Sequence, residues 1–353
     1  MSTTQSPLEK FIIGKVSIHN PEFDEMHDSF MALGIIMSIV IVLGNGLVLL
    51  LFYQERKSLK ISHKYIISMA FCDLFMGLLS VPTQLYMMDN KVPASSKDCP
   101  WIMGVITALV QTSLTVLVAS SIDRYWAVKF PHHYRIKAQN WIANCIIIVS
   151  WIVPCSYGVI HYFTAREATN KDFLCFMGQE TYDPIMLRFL LYVIMPINLV
   201  IILVLYFLIH REVMKLFKQD DGESRCTRIW KIMFQKQDVQ KKVGAMLIRE
   251  VRTTFLLLLT VFLAFITFIP GTAIGYVMTF RPDLIEVKPL LICYLLLSVN
   301  SVFNPFIYAF NIRNVREAAT RLGKRIVFCN QVPDENEIYS TSGTGVDSSQ
   351  GKA

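Results

Sequence analysis

The sequence predicts an all-α fold, a seven-transmembrane helix bundle with a short amphipathic eighth helix, on three observations. Apolar residues make up 53% of the chain and charged residues only 17%, a composition with which a soluble domain would aggregate. Apolar runs of about 20 residues, enough to cross roughly 30 Å of hydrocarbon as helices, recur along the whole length. Lysine and arginine concentrate in the connections that would share one side of the membrane, which gives the bundle a direction.

The runs fall near 30–53, 65–88, 101–127, 140–163, 185–209, 253–279 and 289–310. Seven crossings put the two termini on opposite sides. The first connection carries Arg56, Lys57, Lys60 and Lys64, the stretch from Arg211 to Arg252 is strongly basic, and Arg313, Arg316, Arg321, Lys324 and Arg325 follow the last run. Residues 1–29 have only Lys10 and Lys15 against Glu9, Glu22, Asp24, Glu25 and Asp28. The N-terminus is therefore expected outside and the C-terminus in the cytosol, at the plasma membrane. The net charge of +7 reads as this bias plus attraction to an anionic inner leaflet. Because the basic residues are spread over separate loops, a nucleic-acid partner is not expected. The stretch before Phe30 has no long apolar core, so the first run is expected to act as its own insertion signal.

Three domains follow: residues 1–29 as an extracellular N-terminus, 30–325 as the membrane domain with its eighth helix, and 326–353 as a disordered cytoplasmic tail. The eighth helix is read from Ile312, Val315, Ala319 and Leu322 at helical spacing with arginines between them, a pattern that lies on a membrane surface. Cys329 beyond it is read either as a palmitoylation site or as a plain thiol. The segment from Ser340 to Ser349 is rich in Ser, Thr and Gly, too poor in apolar residues to fold alone, and phosphorylation there would build negative charge.

Of the eight cysteines, Cys72, Cys145, Cys155 and Cys293 lie within runs, and Cys226 and Cys329 are cytosolic. Only Cys99 and Cys175 fall in the oxidising compartment. One bridge between them is the simplest pairing, with two free thiols as the alternative. From Cys99 to Arg124 the third run spans about 38 Å at 1.5 Å per residue, so Arg124 reaches the cytosolic face. Asp123 adjoins it and Glu250 opens the sixth run on the same side. An arginine between two acids is a two-state element, paired within the bundle in one state and released toward a partner in the other.

Gly44-Asn45 in the first run, Ser68 to Asp73 in the second, Asp123-Arg124-Tyr125 in the third, Trp151, Pro196 and Pro270 in the next three, and Asn304-Pro305 with Tyr308 in the last stand in the order of the markers of rhodopsin-like G protein-coupled receptors. The chain resembles that family over about residues 30–325. Asn300 to Phe310 looks most like the adenosine and amine branches. The resemblance implies a receptor that couples an extracellular small-molecule ligand to a cytosolic heterotrimeric G protein, with an arrestin and a receptor kinase as further partners. It implies no catalytic role and no cofactor other than a sodium ion at Asp73, with Ser113, Asn300, Ser301 and Asn304 around it, the alternative being a merely hydrogen-bonded aspartic acid. These are oxygen donors that a hard cation prefers. It also implies a pocket lined by Ile106, Thr107, Val110, Gln111, Phe176, Arg188, Tyr192, Phe268 and Tyr294.

Departures from the pattern narrow the ligand. Phe268 stands where the family usually has a tryptophan, and Val204 where the fifth helix often has a tyrosine, with Tyr206 close by. Ile106 replaces the aspartate that amine receptors pair with an ammonium, Ser298 replaces the retinal lysine of opsins, and Gly275 replaces the asparagine with which adenosine receptors meet adenine. Arg188 is read either as a snorkelling residue or as an anchor for an anionic ligand group. A seven-helix transporter or channel is the alternative, but it would need a polar route through the full depth, and no inverted repeat is apparent. An enzyme would need a nucleophile or a metal set, and the seven histidines show no paired-ligand spacing.

Overall fold

A computed structural model describes residues 21–54, 61–93, 96–164, 175, 193–216, 245–280 and 287–311, with isolated positions in the connections. All seven apolar runs are helical over most of their described residues. The spans are Pro21–Gln54, Ile61–Asp89 with a π-turn at Met76–Ser80, Asp98–Lys129, Asn140–Thr164, Met195–Leu216, Ala245–Phe280 and Val287–Asn311. Six of them are long and apolar enough to cross a membrane, and the sixth span contributes the apolar stretch Leu258–Ile274. The expected eighth helix, Cys329 and the C-terminal tail lie outside the described residues.

The first span starts at Pro21, well before the apolar run that begins near Phe30. Proline fits the first turn of a helix, whose N–H groups have no intrahelical partner. Asp24 and Glu25 complement the positive end of the helix dipole. The polar segment thus continues the helix past the hydrocarbon boundary, where a reading by hydropathy alone stops.

The third span is the axis of the bundle. It is the most buried of the long helices and packs chiefly against spans four, five and two. Ile102, Ile106, Leu109, Val110, Leu114 and Leu117 belong to the main core, which also takes in Ile41, Met69 and Phe268. Leucine, isoleucine and phenylalanine on the opposite faces of the outer helices are exposed, as in Leu43, Ile148, Ile152 and Phe262. Such faces are stable only against lipid. Contact between spans three and four is made by two glycines: a Cβ on Gly104 would lie 2.9 Å from the Gly158 carbonyl oxygen, and one on Gly158 would lie 2.8 Å from that of Gly104. Small residues at such a crossing let two backbones touch.

Three interruptions of helical hydrogen bonding are each repaired by a side chain from a neighbouring helix. Pro305 has no N–H for the carbonyl of Ser301, and Asn45 Nδ2 of the first span donates to that oxygen at 3.1 Å. Pro154 likewise deprives the carbonyl of Ser150, to which Thr115 Oγ1 of the third span donates at 3.0 Å. In the π-turn, Ser38 Oγ donates to the carbonyl of Gly77 at 2.7 Å. Hydrocarbon offers no water for these groups, so the repair must come from protein.

Replacing Gly158 by valine forces the two backbones apart. The expected loss is about 1–3 kcal/mol, the scale of an overpacked core. It is checked by the unfolding temperature of the purified protein, with the lipid-facing Ile152→Val, which should change little, as the comparison.

Candidate functional site

Two polar centres sit on the inner face of the bundle. The deeper one is Asp73, 1% exposed, in the middle of the second span. Its Oδ1 accepts from Ser301 Oγ at 2.6 Å and its Oδ2 from Asn304 Nδ2 at 2.7 Å. An ionised carboxylate taken out of water keeps its charge only where donors or a cation replace the lost solvation. Asn300 and Ser113, expected beside it, are also buried. The side-chain oxygens of Asn300 and Asn304 have no donor and are closed to solvent, which leaves two acceptor atoms free in this layer. Among the described residues no group of three or more His, Cys, Asp or Glu is placed to hold a metal. A cation here would therefore be held by one carboxylate with hydroxyl and amide oxygens.

Seven residues after Ser301, Tyr308 turns inward and is 3% exposed, with its hydroxyl 3.7 Å from Met69 Sδ of the second span. Pro305 is packed against the first span, where a Cβ added to Gly44 would come within 2.9 Å of the proline ring. The motif of Asn304, Pro305 and Tyr308 therefore joins the last helix to spans one and two.

The second centre is at the end of the third span. Asp123 and Arg124 are 7% and 3% exposed. Arg124 Nε donates to Asp123 Oδ2 at 3.1 Å, and Nη2 reaches the same oxygen. Both groups also meet Tyr134, whose hydroxyl donates to Asp123 Oδ1 at 3.0 Å and accepts from Arg124 Nη2 at 3.1 Å. Tyr134 stands on the short helix Pro131–Lys137, and its ring packs edge-on against Trp126 with centroids 5.4 Å apart. Tyr125 points away and accepts from Lys129 Nζ at 2.7 Å. Glu250 lies on the backbone of the sixth span, but its side chain is outside the described residues. The sequence reading had named Asp123 and Arg124 and missed Tyr134. The only signal for it was the helix restart at Pro131, which says nothing about where a side chain one turn later points.

At the opposite end, Cys99 and Cys175 are joined, with Cα atoms 5.4 Å apart. The Cys175 N–H donates to the carbonyl of Val92 at 2.9 Å, which adds a second tie. Below this bridge Ile106 and Val110 of span three and Phe268 of span six belong to the main core, Gln111 on span three is buried, and Thr107 is half-buried. Phe268 thus fills the core position expected of an aromatic. Both polar atoms of the Gln111 amide are closed to solvent and without a hydrogen-bond partner, a state that costs free energy until a partner arrives. Phe176, Arg188 and Tyr192 lie outside the described residues, as does the Tyr294 side chain.

A profile described as 7 transmembrane receptor (rhodopsin family) matches residues 44–308, well over half of the chain. Among curated relatives, the adenosine receptor A2a of Homo sapiens is 25% identical over 84% of this chain and 72% of its own length. The adenosine receptor A3 of Canis lupus familiaris is 23% identical over 85% of this chain and 92% of its own length. The adenosine receptor A2b of Rattus norvegicus is 23% identical over 85% and 91% respectively.

Removing the Tyr134 hydroxyl with Tyr134→Phe leaves the ring on Trp126 but takes one bond from each member of a buried ion pair. The unfolding free energy should fall by about 1–3 kcal/mol, the range for losing a partner of a buried charge. Tyr134→Phe in an Asp123→Asn background should cost less, and an equal cost in both backgrounds would show that the hydroxyl acts elsewhere.

Proposed function

Because the chain belongs to the rhodopsin family of seven-transmembrane receptors, we propose that it transmits the binding of an extracellular small-molecule ligand to a cytosolic heterotrimeric G protein. The disulfide end faces outside and the Arg124 end faces the cytosol. The observation that carries this reading is the buried Asp123–Arg124 pair capped by Tyr134. A guanidinium at the rim of the bundle, held by a neighbouring acid and by a hydroxyl on the short helix Pro131–Lys137, is a two-state element that can exchange these acceptors for a partner's while the Tyr134 hydroxyl stays on Asp123. The orientation is supported by the basic connections on the Arg124 side and by the disulfide, which persists in an oxidising compartment.

The ligand is a small, polar, non-aminergic molecule. Ile106 offers nothing to an ammonium, whereas the Gln111 amide presents one unpaired donor group and one unpaired acceptor in the core beneath the disulfide. Adenosine, for which the relatives are named, is the first probe to try. An arrestin and a receptor kinase would act on the Ser- and Thr-rich tail.

Asp73 takes a sodium ion in the resting receptor. Ser301 and Asn304 are in place on the carboxylate, the free oxygens of Asn300 and Asn304 stand in the same buried layer, and oxygen donors suit a hard cation. A bound cation would offset the buried charge and hold spans two and seven in their present relation.

The coupling is tested by nucleotide exchange on purified G proteins of each class, with the full chain in lipid nanodiscs. Arg124→Ala should lower receptor-driven exchange by about tenfold or more, the effect of losing about 1.4 kcal/mol, and Glu250→Ala should raise exchange without ligand. Failure of the wild-type chain to drive exchange on any G protein, with any member of a ligand library that includes adenosine, would overturn the reading.

Sodium is tested without any ligand. Replacing choline chloride by sodium chloride should raise the unfolding temperature of the wild-type protein. At a concentration ten times the dissociation constant the gain is about 1.4 kcal/mol. Asp73→Asn should show no gain, and a retained gain would place the ion elsewhere.

A further inference from the structure

The second span carries a polar atom that the resting arrangement leaves unused. Tyr65 is 2% exposed and among the largest fully buried side chains. It forms a small cluster with Ala119 of the third span and Ala143 of the fourth, and Ile61 and Ile147 pack against it. Such a seat asks only for a ring, which phenylalanine would supply. The charges of Asp123 and Arg124 both act on the Tyr65 hydroxyl, yet among the described residues it makes no hydrogen bond to either. Instead, Asp123 is bonded by Arg124 and Tyr134. A hydroxyl held among alanine and isoleucine without a partner costs free energy, so packing alone does not account for it.

Helical spacing places this group beside the second polar centre. Ala119, against which Tyr65 packs, stands one turn before Asp123 on the unbroken third span. In the resting arrangement both oxygens of Asp123 are supplied. Oδ2 accepts from Arg124 Nε at 3.1 Å and also from Nη2, and Oδ1 accepts from the Tyr134 hydroxyl at 3.0 Å. When Arg124 exchanges these acceptors for a partner's, Oδ2 loses both donors at once. Asp123 is only 7% exposed, and a buried carboxylate oxygen without donors bears the cost of its lost solvation.

The neighbouring donors are already committed. Tyr134 has a single proton, and it is on the other oxygen. Lys64, the residue before Tyr65, donates to Asn144 Oδ1 at 2.9 Å, and Ser121 donates to the Leu117 carbonyl at 2.8 Å. The Tyr65 proton is still free to be given.

We propose that Tyr65 is a positioning residue of the switch, whose hydroxyl donates to Asp123 once Arg124 has turned to a partner and so keeps the carboxylate paired in the released state. The proposal rests on the reading of Arg124 as exchangeable, given above. At rest the ring packs and the hydroxyl is idle. On release the same hydroxyl ties the second span to the third beside the coupling face.

Release is mimicked in the purified full chain, in nanodiscs, by removing the guanidinium, and unfolding temperatures are compared. Tyr65→Phe should leave the wild-type midpoint within about 1 °C, since no bond is lost at rest. In the Arg124→Ala chain the same change should lower the midpoint by about 2–4 °C, the shift for one hydrogen bond in a domain of this size. Arg124→Met, which keeps most of the side-chain volume and has no donor, serves as a second background and should give the same further loss. Adding Asp123→Asn to the Arg124→Ala chain should reduce the loss from Tyr65→Phe to about half, because a neutral acceptor draws a weaker bond. A loss of equal size in wild type and in both arginine backgrounds, as a purely structural hydroxyl would give, would overturn the proposal. So would no loss in any of them, or a loss that Asp123→Asn leaves unchanged. Because no G protein enters the measurement, its outcome stands apart from that of the exchange assay.

Discussion

The rest of the structure depends on the short knot that joins Asn45, Asp73, Ser301 and Asn304. Pro305 deprives the carbonyl of Ser301 of its helical donor, and Asn45 supplies one from the first span. The hydroxyl of the same serine donates to Asp73, and the amide of Asn304 donates to its other oxygen. One weak turn in the last helix thus becomes the point at which spans one, two and seven meet. In hydrocarbon an unmet backbone group and an unmet carboxylate are both costly, so these helices cannot separate at this depth without exposing both. The knot is also incomplete, because the oxygens of Asn45, Asn300 and Asn304 lack donors. A site that is closed on one side and unsatisfied on the other has a preferred arrangement and a reason to leave it when an ion or a conformational change offers better partners.

The same constraint operates elsewhere in the bundle. Thr115 serves Pro154 as Asn45 serves Pro305, and Ser38 serves the π-turn of the second span. Each repair comes from a helix other than the one it serves, so the irregularities act as specific joints. A π-turn also shifts the register of every side chain that follows it. Here it lies between the polar layer at Asp73 and the end of the span at Asp89 and Lys91, so the direction of the charged groups at that end depends on it. The third span, by contrast, is unbroken from Asp98 to Lys129. It carries the disulfide at one end and the Asp123–Arg124 pair at the other, with the buried apolar core between.

The sequence by itself determined how many times the chain crosses, which residues lie at which depth, and which polar groups are too deep to be incidental. These follow from period and length, since hydrocarbon thickness and the 1.5 Å rise convert a residue number directly into a depth. Asp73, Arg124, Cys99 and the proline-interrupted end of the last helix were legible for this reason. Only the tertiary structure decided who meets whom. Ser301 and Asp73 are 228 residues apart, and Asn45 and the Ser301 carbonyl 256. Nothing in a local pattern states which face of one helix packs on which face of another. Tyr134 was hidden because its hydroxyl reaches Asp123 only through the turn at Phe130 and the short helix after it. The helical extension from Pro21 was hidden because hydropathy sees the hydrocarbon boundary, whereas a helix ends where its backbone donors and dipole are no longer served. Depth is a one-dimensional property that composition records. Partnership depends on the rotation and crossing of packed helices, which only the folded bundle sets.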